Sequence, residues 1–143
     1  MALKALITID ASAAAAWLLP DETSEQADEL FAQAVSRSVS LQAPGLWAWE
    51  VGNLLRMAQR RGRMASGAMR QALQVLHRAG VQLEAPPDEM RMQATLDLSG
   101  ESGLTFYDAS YLELALRTGA QLATKDAALR RAAIKAGLDC PSL

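Results

Sequence analysis

The pattern of apolar positions changes period repeatedly along the chain. Lys4 to Ile9 is a nearly continuous apolar run, as expected of a strand buried on both faces. Ser12 to Leu19 is alanine-rich and predicts a short helix stopped by Pro20. Thr23-Ser24-Glu25-Gln26 offers a Thr-x-x-Gln capping box for a helix reaching about Arg37, after which Ser38 to Leu41 suits a short second strand. Pro44-Gly45 breaks the chain before a helix from about Leu46 to Arg61, and a second helix, from about Ser66 to Ala79, follows Gly62. Val81 to Glu84 is a third strand, and Pro86-Pro87 starts a helix running to about Leu98. A loop containing Gly100 and Gly103 leads to a helix over Thr105 to Thr118, a strand over Ala120 to Thr124 and a helix over Asp126 to Ala136. Gly62, Gly80, Gly119 and Gly137 each stand just past a helical pattern, where a positive φ is wanted.

Strands alternating with helices predict parallel pairing through right-handed crossovers, hence a sheet covered by helices on both faces. Such sheets bind ligands beyond the carboxyl ends of their strands. Asp10 lies at one such end, and Asp126 lies two residues after Thr124 at another. A length of 143 residues suits one domain over residues 1–143.

Composition narrows the class. Half of the residues are apolar and 21% are charged, which is a globular balance with no disordered or fibrous signature. The alanine cluster Ala11 to Ala16 is far shorter than the roughly 20 residues of a membrane span. No leader pattern precedes it, so a cytoplasmic location is expected. Cys140 is the sole cysteine, which excludes an intrachain disulfide and a cysteine zinc cluster and leaves it a packing role near the C-terminus. A net charge of −2 argues against a nucleic-acid partner. Setting four carboxylates aside in a metal site turns that −2 into +2, a mildly basic body around an acidic hole.

Four acids are candidates for such a site. Asp10 and Asp126 could simply cap the helices that follow them. Glu50 is harder to excuse: Leu46, Leu54 and Met57 share its helical face, and a glutamate seldom sits in an apolar stripe without a partner. Asn53, one turn on, could orient it. Asp108 closes a Thr-x-x-Asp cap with Thr105 but also continues the line of Leu112 and Ala115 toward the core. Gathered at the carboxyl edge of the sheet, four carboxylates repel one another unless a cation sits among them. Hard oxygen ligands favour Mg2+ or Mn2+ over zinc. His77, the only histidine, has no histidine partner and reads as structural, which disfavours histidine-based catalysis and nucleophile triads. Carboxylate-held Mg2+ suits the hydrolysis of a phosphodiester.

The stretches "IDASA" with Asp10 and Ser12, "WEVGNLL" with Glu50, Asn53 and Leu54, "LTFYDASYLELA" with Thr105 and Asp108, and "LATKDAALRRAA" with Thr124 and Asp126 together resemble the PIN-domain ribonucleases, specifically the VapC-type toxins of bacterial toxin–antitoxin pairs. The resemblance covers nearly the whole chain, in the family's order. It implies an α/β/α sandwich on a central parallel sheet of four or five strands. It also implies that Asp10, Glu50, Asp108 and Asp126 surround Mg2+ or Mn2+. Asp10 and Asp108 would be the most direct ligands, with Glu50 and Asp126 as further ones. Ser12 and Thr124 would support the site. An RNA substrate, an antitoxin whose peptide enters the groove and a homodimer are further implications. The C-terminal "AGLDCPSL" is less apolar than a good last strand.

Beside the site, Arg56, Arg60 and Arg63 fall at i, i+4 and i+7, with Arg61 adjacent, and could grip RNA phosphates or antitoxin acids, or merely solvate a helix end. Trp47 and Trp49 cannot both face the core, so one is a candidate dimer or antitoxin contact. A haloacid-type phosphatase would need a second aspartate where Ser12 stands, and a signalling receiver would want an acid pair before its first helix. Two alternatives stay open: a non-toxin PIN nuclease acting on nucleic acid, and a non-catalytic binding module whose acids are helix caps.

Overall fold

In the computed structural model, which describes residues 3–143, four strands alternate with seven helices. The order is β1 (Ala5–Ile9), α1 (Ala11–Leu18), α2 (Glu25–Val35), β2 (Val39–Pro44), α3 (Leu46–Arg60), α4 (Met69–Ala79), β3 (Gln82–Glu84), α5 (Glu89–Ser102), α6 (Phe106–Thr118), β4 (Gln121–Ala123) and α7 (Ala127–Lys135). The strands form one parallel sheet in the order β3-β2-β1-β4. Strand β1 pairs with β2 from Ala5 opposite Val39, and with β4 from Ile7 opposite Gln121. The chain therefore moves outward in one direction from β1 and returns to its other side with β4. The switch point lies between the carboxyl ends of β1 and β4.

Burial follows the expected periods. Ile7, Thr8 and Ile9 are buried in succession, as befits a central strand, while Val39, Leu41 and Ala43 alternate with half-buried positions along β2. Helices α1 to α4 pack among themselves, and α6 packs with α5 and α7 while touching β1, β2 and β4, which completes an α/β/α sandwich. The alanines of α1 are buried as a block, so this short helix lies close against its neighbours without bulky side chains to hold it away. No helix among the described residues is long and apolar enough to cross a membrane.

Several boundaries differ from the sequence expectation. Ser24, not Thr23, caps α2 by accepting from the Ala27 N–H. The Thr23 hydroxyl turns back to the Pro20 carbonyl, because Pro20–Glu22 winds into a 3₁₀ turn and displaces the helix start by one residue. Asp88 caps α5 by accepting from the Arg91 N–H, leaving Pro86 and Pro87 in the extended lead-in. Gly100 lies inside α5, not in a loop, and Gly103 ends that helix at φ 74°. The last segment forms no strand: Leu122 donates to the Asp139 carbonyl at 3.0 Å, and Pro141 has no N–H to extend the ladder.

Candidate active site

Asp10 follows the last residue of the central strand and caps α1, and it is only 6% exposed. Its Oδ1 accepts from the Ser12 hydroxyl at 2.6 Å and from the Ala13 N–H at 3.0 Å. Its Oδ2 accepts from the Thr124 hydroxyl, which stands just past β4. Ser12 Oγ in turn accepts from the Lys125 N–H at 2.8 Å, and Thr124 Oγ1 from the Asp126 N–H at 2.9 Å. Each hydroxyl thus accepts a hydrogen bond from a backbone N–H of the β4–α7 connection and donates one to Asp10. The ends of β1 and β4 are tied through one carboxylate, and Trp47 Nε1 adds a bond to the Asp10 carbonyl at 3.2 Å. Burial pushes the Asp10 carboxyl above its ordinary range, Ser12, Thr124 and Ala13 pull it back, and the Asp126 charge pushes it further up.

Glu50 sits in the first half of α3 and is half-buried. The buried face of α3 is Trp47, Val51, Leu55 and Ala58, so the helix is rotated from the expected stripe and Glu50 lies on its flank with Leu46, Leu54 and Met57. Tyr111 of α6 donates its hydroxyl to Glu50 Oε1 at 2.6 Å. Burial raises the Glu50 carboxyl, the Tyr111 bond lowers it, and the charges of Asp108 and Asp10 raise it again. Asp108, in the first turn of α6, is raised by burial and by Asp126, against a hydrogen bond with Thr105 that lowers it. Asp126 is exposed and caps α7 by accepting from the Leu129 N–H at 2.8 Å.

The four acids are electrostatic neighbours: Glu50 feels both Asp10 and Asp108, and both of those feel Asp126. Yet among the described residues no three Asp, Glu, His or Cys side chains close into a ready-formed metal cage. Three of the four carboxylates are turned toward their own donors: Asp10 to Ser12 and Thr124, Glu50 to Tyr111, Asp126 to the head of α7. A set of hard carboxylate oxygens gathered in this way is chemically suited to a divalent cation. Capping by Asp10 and Asp126 is real and occupies one oxygen of each, and Asp108 bonds with the Thr105 cap, so Glu50 alone is left without that explanation.

The remaining candidates separate. Asn53 is exposed, and the orienting contact expected from it falls to Tyr111. Thr105 is the N-cap of α6, accepting from the Asp108 N–H at 3.1 Å. Arg63 does not share a helical face with Arg56 and Arg60, because α3 ends at Arg60 and Gly62 reverses the chain at φ 70°. Its guanidinium is held by Asp21 at 2.9 Å and Glu22 at 2.7 Å at the surface, an engagement that competes with any contact to RNA or antitoxin. Arg56 and Arg60 are exposed, Arg56 donating to Gln59. Trp47 is buried and Trp49 is 81% exposed. His77 is exposed on α4, not packed, and Cys140 packs against the core edge. Tyr111 was missed, although it stands three residues after Asp108, on the same helical face.

A family model described as the PIN domain matches residues 7–135. Ribonuclease VapC3 of Pyrobaculum aerophilum is 34% identical over 120 residues, covering 84% of this chain and 88% of that protein. The crystal structure of PAE2754 from Pyrobaculum aerophilum is 28% identical, covers 95% of this chain and 83% of that one, and superposes with a TM-score of 0.70.

Proposed function

The chain belongs to the PIN-domain family, and from that premise we propose that it is a divalent-metal-dependent endoribonuclease acting as the toxin of a toxin–antitoxin pair. The observation that supports this reading is the gathering of Asp10, Glu50, Asp108 and Asp126 near the switch point of the sheet, where burial first and neighbouring acid charges second raise the carboxyls of Asp10, Glu50 and Asp108. Asp10 and Asp108 would hold Mg2+ or Mn2+, with Glu50 and Asp126 completing the set. When bound, such a metal supplies a nucleophilic hydroxide and neutralises charge on the phosphodiester. The chain's own residues prepare that site: Ser12 and Thr124 fix the Asp10 carboxylate between two strand ends, and Tyr111 fixes Glu50.

A single domain over residues 1–143, a homodimer, and inhibition by a small antitoxin belong to the same proposal. Exposed Arg56 and Arg60 remain candidates for contacts to RNA or antitoxin. The deciding experiment is cleavage of single-stranded RNA with Mg2+ or Mn2+ by the unaltered chain and by Asp10→Asn. Loss of at least about a hundredfold is expected for a group central to transition-state charge, and equal activity in both forms would end the nuclease reading. Expression without an antitoxin should arrest growth; harmless high expression of the intact chain counts against the toxin role.

A further inference from the structure

Three of the four acids are placed by contacts local to the helix ends they occupy. Asp10 caps α1, Asp126 caps α7, and Asp108 follows the Thr105 cap in the first turn of α6. Glu50 has no such anchor. It lies inside α3, whose head is uncapped: Gly45 stands at the N-cap with no side chain to offer. The place of the Glu50 carboxylate is therefore set by how α3 as a whole sits and rolls.

Among the described residues, two side-chain hydrogen bonds tie the first half of α3 to other elements. Tyr111 donates to Glu50 itself, and Trp47 Nε1 donates to the Asp10 carbonyl at 3.2 Å. The Trp47 bond is buried, so neither partner has water to turn to if it breaks. The head of α3 also lies tight against the end of β3, since a Cβ on Gly45 would stand 3.0 Å from the Glu84 carbonyl. Glu50 follows Trp47 by three positions, about 60° round the helix and about 4.5 Å along it. A shift at the indole is carried by the helix to the carboxylate. Asp10 is thus a common reference: its carboxylate receives the β4–α7 connection through Ser12 and Thr124, and its carbonyl receives α3.

We propose that Trp47 is a positioning residue: its indole N–H, bound to the Asp10 carbonyl, sets the separation of the Asp10 and Glu50 carboxylates and so readies the pair for one divalent cation. The inference rests on the ribonuclease reading and deepens it. Trp47 is 6% exposed, so it acts through α3 and not by touching RNA. A functional constellation must be held to within about 0.5 Å of its working geometry, and Mg2+ in particular accepts little departure from octahedral coordination. Packing alone leaves a helix free to settle by more than that. A directed bond from its buried face to the residue that bears the other carboxylate removes that freedom. Metal binding and turnover should therefore suffer from loss of the indole N–H, while RNA binding should not.

The test compares Trp47→Phe, which keeps a ring in the core and removes the donor, with Val51→Ala, a packing loss on the same buried face of α3 that touches no polar group. Each full chain is titrated with Mn2+ alone and read by water-proton relaxation, at a temperature where circular dichroism shows it folded. Trp47→Phe should weaken Mn2+ binding about tenfold, the low end for groups that orient metal ligands, and Val51→Ala should leave it unchanged. In RNA cleavage Trp47→Phe should lower kcat by a similar factor with KM for RNA unchanged, and excess Mn2+ should recover part of the loss. A second measurement needs no change in the core. With the indole N–H signals of Trp17 and Trp49 assigned from their own phenylalanine variants, the remaining signal, Trp47, should shift on addition of Mg2+, while that of Trp17, bonded to the Ala27 carbonyl, should not. If Val51→Ala loses as much Mn2+ affinity as Trp47→Phe, if neither loses any, or if the Trp47 signal is unmoved at saturating Mg2+, Trp47 only packs and this inference fails, while cleavage by the unaltered chain keeps the nuclease reading. An unaltered chain that neither binds Mn2+ nor cleaves RNA overturns both.

Discussion

At the scale of single residues, the bond from Tyr111 to Glu50 is the one contact that holds the Glu50 carboxyl down against burial. It favours the charged carboxylate against burial and against the charges of Asp108 and Asp10. Tyr111→Phe keeps the ring in the core and removes only the donor, so the Glu50 carboxyl should rise further. The acid limb of the RNA-cleavage profile is expected to move to higher pH, with about a tenfold loss or less at neutral pH for one hydrogen bond to a half-buried charge. An unchanged acid limb in kcat/KM against pH would show that Glu50 does not titrate in the reaction. Asp10 and Asp126 were legible in the sequence because strand ends and helix heads are read from short-range pattern. Tyr111 was not, since its meaning depends on how two helices 61 positions apart rotate against each other. The same rotation explains why Asn53, one turn from Glu50 in the sequence, faces solvent.

At the scale of elements, helix ends carry most of the departures from pattern. Arg37, itself at φ 62°, donates through Nη1 to the carbonyls of Ala34 and Ala79 and so stitches the ends of α2 and α4. Gly80 ends α4 at φ 65°, and a Cβ there would meet that guanidinium at 2.4 Å. Gly62, at φ 70°, has open space around it. Both alanine variants incur left-handed strain of about 1 kcal/mol, but Gly80→Ala must also dislodge Arg37. Chemical denaturation should find Gly80→Ala the more destabilising of the two by about 1 kcal/mol or more; equal losses would mean that the Arg37 stitch contributes nothing. Arg56, Arg60 and Arg63 read as one face only while a helix continues, and Gly62 ends that reading. Arg63→Gln should leave RNA cleavage unchanged and lower the melting temperature slightly, in a salt-sensitive way, because its partners are Asp21 and Glu22 at the surface. Reduced cleavage at unchanged stability would return Arg63 to the substrate contacts. Element order was legible throughout, and boundaries slipped where a side-chain cap or a 3₁₀ turn competed with the expected start.

At the scale of the whole molecule, the raised carboxyls make stability depend on pH. Asp10, Glu50 and Asp108 bind protons more tightly folded than unfolded. Their contribution is therefore full below their ordinary values of 3.8 to 4.5 and is lost as pH climbs through the raised ones. Asp21, lowered by Arg63, acts oppositely and only at more acid pH. With chelator present, the melting temperature should fall as pH climbs above the ordinary carboxylate range, and Mg2+ or Mn2+ should restore it at the upper end. A melting temperature indifferent to both variables would mean that the acids do not share a site. The sheet was legible because parallel strands announce themselves as apolar runs; its order was not, because nothing local to β4 says which side of β1 it joins. That placement governs how the molecule comes into being. Thr124 reaches Asp10 across 114 positions of chain, so the first carboxylate gains its last support only after β4 has been synthesised.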